Sequence, residues 1–460
     1  MIPQQLIQSL QNILGFNEDA FCKVHQAKEA ITSIRVNPLK KIELDSNKQT
    51  ISESVPWCKY GFYLAERPFF THDPLLHCGA YYVQEPSSMF LWQILEQHIG
   101  ADTQKAVLDL CAAPGGKSTL LASYFVDGLI ISNEVIKQRA NVLVENITKW
   151  GGANVVVTNN DASHFSGLES FFDVVVIDAP CSGSGLFRKD ADAIKEWSID
   201  NVNLCSQRQQ RILRDVMDSI NNNGILIYST CSYSKQENED IVDWILTEFN
   251  MDSLQIQLET SWGIVETTSD TQNGFGYRFY PDKVKGEGFF VAAFKKRAND
   301  NHPKKYKENV LLKPNKQEME VVEKNIDTTI PYFYFKHNDS IRVFPVAWQK
   351  QLQILANKLY IKKAGIELGV VKGKDLIPSH ELAMSNIALK NVTHFNLNKT
   401  QALQYLSKKE VIIDTNFEGW ALFKYQNLAL GWVKMLKNRM NNYYPMEWRI
   451  LNTNFENEKN

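Results

Sequence analysis

The chain reads as an α/β protein: a mostly parallel sheet with helices on both faces, flanked by a smaller unit at each end. Three observations predict this. Short apolar runs of strand length recur as AVLDL (106–110), GLIISN (128–133), NVVVT (154–158), DVVVID (173–178) and GILIYST (224–230). Helix-length stretches at 135–150 and 206–220 lie between them, and strands alternating with helices describe a parallel sheet buried on both faces. Finally, 460 residues are too many for one core; at roughly 150 residues per domain, about three are expected.

Composition narrows the class. With 44% hydrophobic and 22% charged residues, 23 Gly and 15 Pro, the chain is neither fibrous nor broadly disordered. No apolar run approaches the roughly 20 residues needed to span a bilayer, and the N-terminus lacks the basic-then-apolar pattern of a signal peptide. The seven cysteines are odd in number, widely spaced and without a CxxC pair, which excludes a disulfide scaffold and a zinc knuckle. A cytoplasmic protein with reduced thiols and no metal is expected. A net charge of -2 argues against a general polyanion binder. Locally, Lys283 to Lys316 holds ten Lys or Arg against three acidic residues, read either as a basic surface or as a solvated linker.

Along the chain, residues 1–75 form a first unit. It opens on an amphipathic helix (Ile7, Leu10, Ile13, Leu14) and continues with strand-like pieces at 31–36 and 42–44. Its aromatics, Trp57 to Phe70, are read chiefly as core. Residues 76–297 carry the parallel sheet, closed by GEGFFVAAFKK (286–296) as an antiparallel edge. A polar linker is expected over 298–328. A mostly β module follows over 329–460, with one helix near 379–388.

The chemistry gathers at strand ends. The run Val107 to Thr119 carries a strand into the Gly-rich turn Cys111-Ala112-Ala113-Pro114-Gly115-Gly116-Lys117 and then a helix. Such a turn brings backbone and free helix N–H groups close to a ligand. Neither GxxxxGK[ST] nor GxGxxG is present, which sets aside phosphate-loop and dinucleotide readings. Glu134 ends the next strand, 25 residues after Asp109, where an open α/β sheet sets a carboxylate against a ribose diol. Asp161 and Asp178 end the two strands after that. Four carboxylates around one crevice fit a nucleoside cofactor with a cationic or neutral centre better than a pyrophosphate. Cys181 and Cys231 close consecutive strands inside Ser/Gly-rich turns, the setting of accessible, reactive thiols.

LDLCAAPGGKS, IDAPCSGSGLFRKD and YSTCSYSKQENE resemble the signatures of the NOL1/NOP2/Sun family of RNA 5-methylcytosine methyltransferases, whose members include bacterial ribosomal RNA enzymes. The resemblance covers almost the whole chain. SIRVNPLK (33–40) resembles the family's N-terminal RNA-binding segment, YYVQEPSSM (81–89) its lead-in to the core and RFYPDKVKGEGFF (278–290) the core's close. GIELGVVKGKDLIPSHELAM (365–384) is similar to the C-terminal extension of the small-subunit rRNA enzymes, which ends in a PUA-like module.

The resemblance implies a Rossmann-like S-adenosylmethionine-dependent core between an N-terminal RNA-binding domain and a C-terminal PUA-like RNA-binding module. It implies that the turn 111–117 cradles the cofactor's methionine part and that Glu134 holds the ribose. Asp161 is implied to lie by the adenine amine, Asp178 near the amino acid and target base, and Arg139 near the cofactor. Lys189 falls in the family's active-site segment, as a residue that orients the base or helps to activate the chemistry. Cys231 is implied as nucleophile and Cys181 as the residue of product release; the chemistry of the two thiols alone leaves that order open. A thiolate at C6 makes C5 of cytosine enamine-like and able to take a methyl group.

The expected partner is RNA, as 16S rRNA or the 30S subunit, met by a monomer, with Arg35, Lys295 and Lys362 as candidate RNA contacts. A tRNA substrate and a non-catalytic ribosome-assembly role are the alternatives. A small-molecule methyltransferase would not need the two flanking modules.

Overall fold

The computed structural model describes residues 2–27, 31–41, 51–298 and 306–452. Its N-terminal strands are β1 (Ser33–Val36), β2 (Ile51–Ser54), β3 (Gly61–Leu64) and β4 (Tyr81–Val83). The central run comprises β5 (Ala106–Asp109), β6 (Leu129–Asn133), β7 (Val155–Thr158), β8 (Phe172–Asp178) and β9 (Ile220–Thr230). It is followed by β10 (Met251–Leu254), β11 (Val265–Thr268), β12 (Phe275–Phe279) and β13 (Phe289–Lys296). Next come β14 (Tyr332–His337), β15 (Ser340–Pro345), β16 (Ile361–Ala364), β17 (Ile366–Lys372) and β18 (Asp375–Pro378). The last four are β19 (Thr393–Asn396), β20 (Gly419–Tyr425), β21 (Leu428–Leu436) and β22 (Arg439–Asn442).

The large sheet runs β11-β12-β13-β9-β8-β5-β6-β7-β16, with β10 also on β13. Its five central strands are parallel, as the apolar runs predict. The chain winds from β5 through β6 to β7, then returns to the other side of β5 for β8 and β9. The crevice of such a sheet opens where this direction reverses, between β5 and β8. Alternate residues serve opposite cores. Leu108 and Val175 pack with Leu213 and Ile245 on one face, and Val107 and Val174 with Leu121 and Ile147 on the other.

Several boundaries differ from the sequence reading. β4 completes the N-terminal sheet β2-β3-β1-β4, so the first unit extends beyond residue 75. β13 is antiparallel but internal, because β12 and β10 pair beyond it. The expected strand at 42–44 and part of the linker, 299–305, lie outside the described residues. The rest of the linker contains the helix Lys316–Asn325, capped by Asn315 and Glu318. Only a thin apolar stripe, with Val321 and Val322 buried, marks it in the sequence. The C-terminal region forms two sheets, β14-β15-β17-β18 and β19-β20-β21-β22, with helices Gln349–Lys358 and Lys399–Leu406 besides His380–Met384. β16, between the strands of the first, joins the catalytic sheet by pairing with β7. No helix among the described residues is long and apolar enough to cross a membrane.

Arg35 is not an RNA contact: its side chain is fully buried. It donates to Gln84 Oε1 at 2.8 Å, Thr119 Oγ1 at 2.5 Å and Gly116 O at 3.2 Å, and its guanidinium lies 4.7 Å from the Trp150 ring centroid. Its neighbours behave alike. Asn37 Nδ2 donates to Trp150 O at 3.0 Å, and Lys40 Nζ to Lys149 O at 2.6 Å, so this segment caps the helix Lys137–Trp150 from outside. The approach is close enough that a Cβ on Gly79 (φ +68°) would meet Lys149 O at 1.9 Å. The segment SIRVNPLK therefore clamps the N-terminal unit onto the helices that follow β5 and β6. Arg35→Ala is expected to lower stability by about 3 kcal/mol, read from urea unfolding, because it strands several buried acceptors.

Candidate active site

β5 ends at Asp109, and the chain turns through 111–115 into the helix Gly116–Tyr124. Gly115, at φ +119°, begins that helix in a left-handed conformation, and a Cβ there would press Leu143 Cδ1 at 3.2 Å. The next helix holds the turn by its carbonyls. Arg139 Nη2 donates to Ala113 O at 2.7 Å and Asn146 Nδ2 to Pro114 O at 2.8 Å, while Ala112 N reaches Asn133 O at 2.8 Å. Arg139 also lies 3.3 Å from the buried Glu134 carboxylate, which in turn accepts from Ile136 N at 2.9 Å.

Asp109 is fully buried. One carboxyl oxygen accepts from Ser118 Oγ at 2.7 Å and the other has no partner. Burial raises its pKa to about 7, against the opposing pull of Ser118 and Lys117 and with help from Asp178 and Glu134. Burial and the carboxylates Asp109, Asp178 and Glu134 likewise raise the Cys111 thiol. Lys117 Nζ sits 2.8 Å from Asp178, which also accepts from Ser229 Oγ at 2.8 Å. Burial works against the Lys117 ammonium, but Asp178 outweighs it and the pKa is raised. Asp161, two strands away at the same edge, caps the turn Ala162–Gly167 by accepting from Ser163 N and Oγ, with Arg211 at 3.6 Å. The Ser163 hydrogen bonds hold its pKa down.

β8 and β9 pair in parallel with Asp178 opposite Ser229, so the two cysteine turns leave neighbouring strands side by side. Cys181 Sγ and Cys231 Sγ lie 3.0 Å apart as free, partly exposed thiols. The hydrogen bond to Cys231, and burial after it, raise the Cys181 pKa well above its ordinary value. Gly185 N donates to Cys231 O at 2.8 Å, an approach that a Cβ on Gly185, itself 2.8 Å from that oxygen, would obstruct.

Lys189 is half-exposed and lies 3.7 Å from Glu287, which Arg188 approaches at 3.5 Å. Lys295 stands at the far end of β13. It pairs with Ile225 whereas Phe290 pairs with Thr230, so about 17 Å of strand separates Lys295 from the catalytic edge. The basic stretch is thus no single patch, because β13 carries it across the sheet. Within it, Lys296 donates to Met217 O and Ile220 O, and Arg297 pairs with Asp252 at 2.6 Å. Lys362 Nζ donates to Asn141 Oδ1 at 2.6 Å, beside the helix Lys137–Trp150.

Residues behind the cysteine turn were missed. Asn238 accepts from Thr230 Oγ1 at 2.7 Å and donates to Ser232 O at 2.8 Å. Glu239 pairs with the buried Arg278, which donates to Tyr233 O at 2.8 Å. Glu237 binds the serines that follow both cysteines. The signal was the acidic QENE at 236–239, in a quoted motif to which no role was given.

A ring of carboxylates with an orphaned oxygen on Asp109, beside a Gly-rich turn at the switch point, suits a ligand with a sulfonium, an ammonium and a ribose. Its place on this sheet makes the protein an S-adenosylmethionine-dependent methyltransferase. Residues 97–295 match the family model of the 16S rRNA methyltransferase RsmB/F. Residues 2–86 match the N-terminal domain of 16S rRNA methyltransferase RsmF, and 392–450 the methyltransferase RsmF PUA domain. The ribosomal RNA small subunit methyltransferase F of Psychromonas ingrahamii is 31% identical over 97% of both chains, and that of Vibrio vulnificus 29% over 97% of both. Among solved structures, a methyltransferase homolog protein from Pyrococcus horikoshii is 29% identical (TM-score 0.51), covering 64% of this chain and all 100% of its own. NSun6 from the same organism, solved with SFG, shares the fold at 20% identity and a TM-score of 0.53, over 65% of this chain and 99% of its own. The chain belongs to the RsmB/F family of 16S rRNA methyltransferases.

Because folding prefers Asp109 neutral, its contribution to stability is present below its ordinary pKa of 3.8 and is lost as pH rises through about 7. Urea unfolding of the cofactor-free protein is expected to show Asp109→Asn gaining about 3 kcal/mol on the wild type between about pH 5 and about pH 8.

Proposed function

We propose that this chain methylates C5 of a cytosine in 16S ribosomal RNA, with S-adenosylmethionine as donor and a transient bond from Cys231 to C6. The observation that carries this reading is the 3.0 Å contact between the two thiols, at the ends of neighbouring strands beside the cofactor turn.

When bound, S-adenosylmethionine supplies an electrophilic methyl group. The turn 111–117 and Glu134 would hold it, with Asp161 at the adenine end and Arg139 bracing the turn. Cys181 donates its S–H to Cys231 and so favours the Cys231 thiolate. That thiolate forms the S–C6 bond, which breaks the ring's conjugation and gives C5 enamine character. Asp178, oriented by Lys117 and Ser229, accepts from the amino group at the polar edge of the base, and the Lys117 ammonium paired with it offsets the negative charge that develops on addition. Once C5 carries the methyl group, its proton passes to water, the electrons of the C5–H bond re-form the C5–C6 double bond, and the C6–S bond breaks to release the Cys231 thiolate. Cys181 is again in place to hydrogen-bond the leaving thiolate, which is its part in product release.

The faces of C5 and C6 are reached only by a base outside its helical stack. Lys189, half-exposed beside the cysteine turns, would meet RNA backbone around such a base, and Lys362, on β16 four strands from β8, RNA farther along the sheet. Action as a monomer in the cytoplasm, with its thiols reduced, completes the reading.

Bisulfite sequencing of total RNA with and without the gene tests the assignment. One 16S cytosine is expected to lose methylation on deletion, and Cys231→Ala not to restore it. Cys181→Ala is expected to accumulate a protein–RNA adduct that survives denaturing electrophoresis. Loss at a tRNA cytosine would move the substrate, and no change anywhere would favour an assembly role.

A further inference from the structure

Glu237 lies six residues beyond Cys231 and touches neither thiol in this structure, yet both cysteine turns end on its carboxylate. Its Oε2 accepts from Ser182 Oγ at 2.6 Å and from Ser232 Oγ at 2.6 Å. Its Oε1 accepts from Ser182 N at 2.8 Å and Gln209 Nε2 at 3.3 Å. Each serine directly follows one cysteine, so two Cys-Ser pairs fifty residues apart share a single acceptor group. The backbone of Glu237 is fixed too, because the buried Tyr228 phenol, three residues before Cys231 on β9, donates to Glu237 O at 2.7 Å. The carboxylate is fully buried, and burial raises its pKa against the opposing serine hydrogen bonds. A buried carboxylate is costly unless its oxygens are satisfied, and here the donors that satisfy it come from the two turns themselves.

We propose that Glu237 is a positioning residue that locks the Cys181 turn to the Cys231 turn and so maintains the hydrogen bond between their sulfurs. The proposal rests on the two-cysteine reading given above. It makes Ser182 and Ser232 parts of one brace: without the carboxylate, the Ser182 hydroxyl keeps only Ser232 at 3.2 Å, and Ser232 keeps Ser182, Ser184 Oγ at 3.4 Å and the Ser234 amide at 3.1 Å. The turns are then joined only through neutral links such as Gly185 N to Cys231 O at 2.8 Å and Tyr233 N to Ser184 Oγ at 2.9 Å, which leave the sulfurs room to shift apart, and Cys231 loses the donor that favours its thiolate.

The test is the pH midpoint of Cys231 alkylation by iodoacetamide in the full-length protein, followed by peptide mass spectrometry. No RNA is needed, so the result stands apart from the substrate assignment, which bisulfite sequencing decides. Cys181→Ala is expected to raise the midpoint by about one pH unit, the worth of one hydrogen bond to a charged sulfur. Glu237→Ala is expected to raise it equally, and the double variant no further than either single one, because both remove the same contact. Glu237→Gln, which keeps an acceptor, is expected to recover at least half of the shift. S-adenosylmethionine binding within about twofold of wild type marks a folded variant. Should Glu237→Ala fail that criterion, Ser232→Ala decides, with a smaller rise in the same direction. An unchanged midpoint in the folded variant, additive shifts in the double variant, or equal shifts for Ala and Gln would overturn the proposal.

Discussion

The parallel pairing of β8 with β9, in the register that sets Asp178 opposite Ser229, is the constraint on which the rest of the site depends. Cys181 comes three residues after Asp178 and Cys231 two after Ser229, so this register brings the thiols together above one crevice. A slip of one residue would turn every side chain of β9 to the other face of the sheet. It would exchange the residues that fill the two cores, Leu226 and Tyr228 on one side and Ile225 and Ile227 on the other. Packing on both faces therefore specifies the register, and the register specifies the chemistry.

Around that edge the protein sets its charges in pairs, each with at least one largely buried member, and leaves one deficit. Lys117 meets Asp178, Arg139 meets Glu134 and Arg278 meets Glu239. Asp109 keeps an unmatched oxygen. Paired buried charges contribute little net stability but hold their partners in fixed orientation, whereas an unmatched carboxyl is a standing cost that a cationic ligand can relieve. The unmatched oxygen thus lies at the end of β5, beside the Gly-rich turn.

Much of this was legible in the sequence. The five apolar runs became the five parallel strands because central strands need apolar residues on both faces, a pattern with few other uses. Strand ends then located Asp109, Glu134, Asp178 and both cysteines at one edge. Features decided by distant partners were not legible. Arg35 reads as a surface cation in a short strand, and its acceptors, such as Gly116 O and Thr119 Oγ1, lie more than eighty positions away in the chain. Lys295 counts toward a basic stretch, but composition says nothing about which end of a strand it occupies. The helix Lys316–Asn325 is polar around most of its circumference, so its composition reads as linker. Glu237 looked like part of an acidic helix start, the ordinary use of such residues.

The pairing of β16 with β7 also bears on how the protein is made. β7 is complete at residue 158, but the strand that covers it begins at residue 361, about two hundred residues later. At the roughly 5–20 residues per second of synthesis, the nascent sheet carries a bare edge for about 10–40 s. The face later covered by Phe333, Phe335 and Leu355 is open for much of that time. The catalytic core therefore emerges from the ribosome as an unsealed sheet, a template for pairing with other chains. The C-terminal region is the core's own closing piece as well as an appended module.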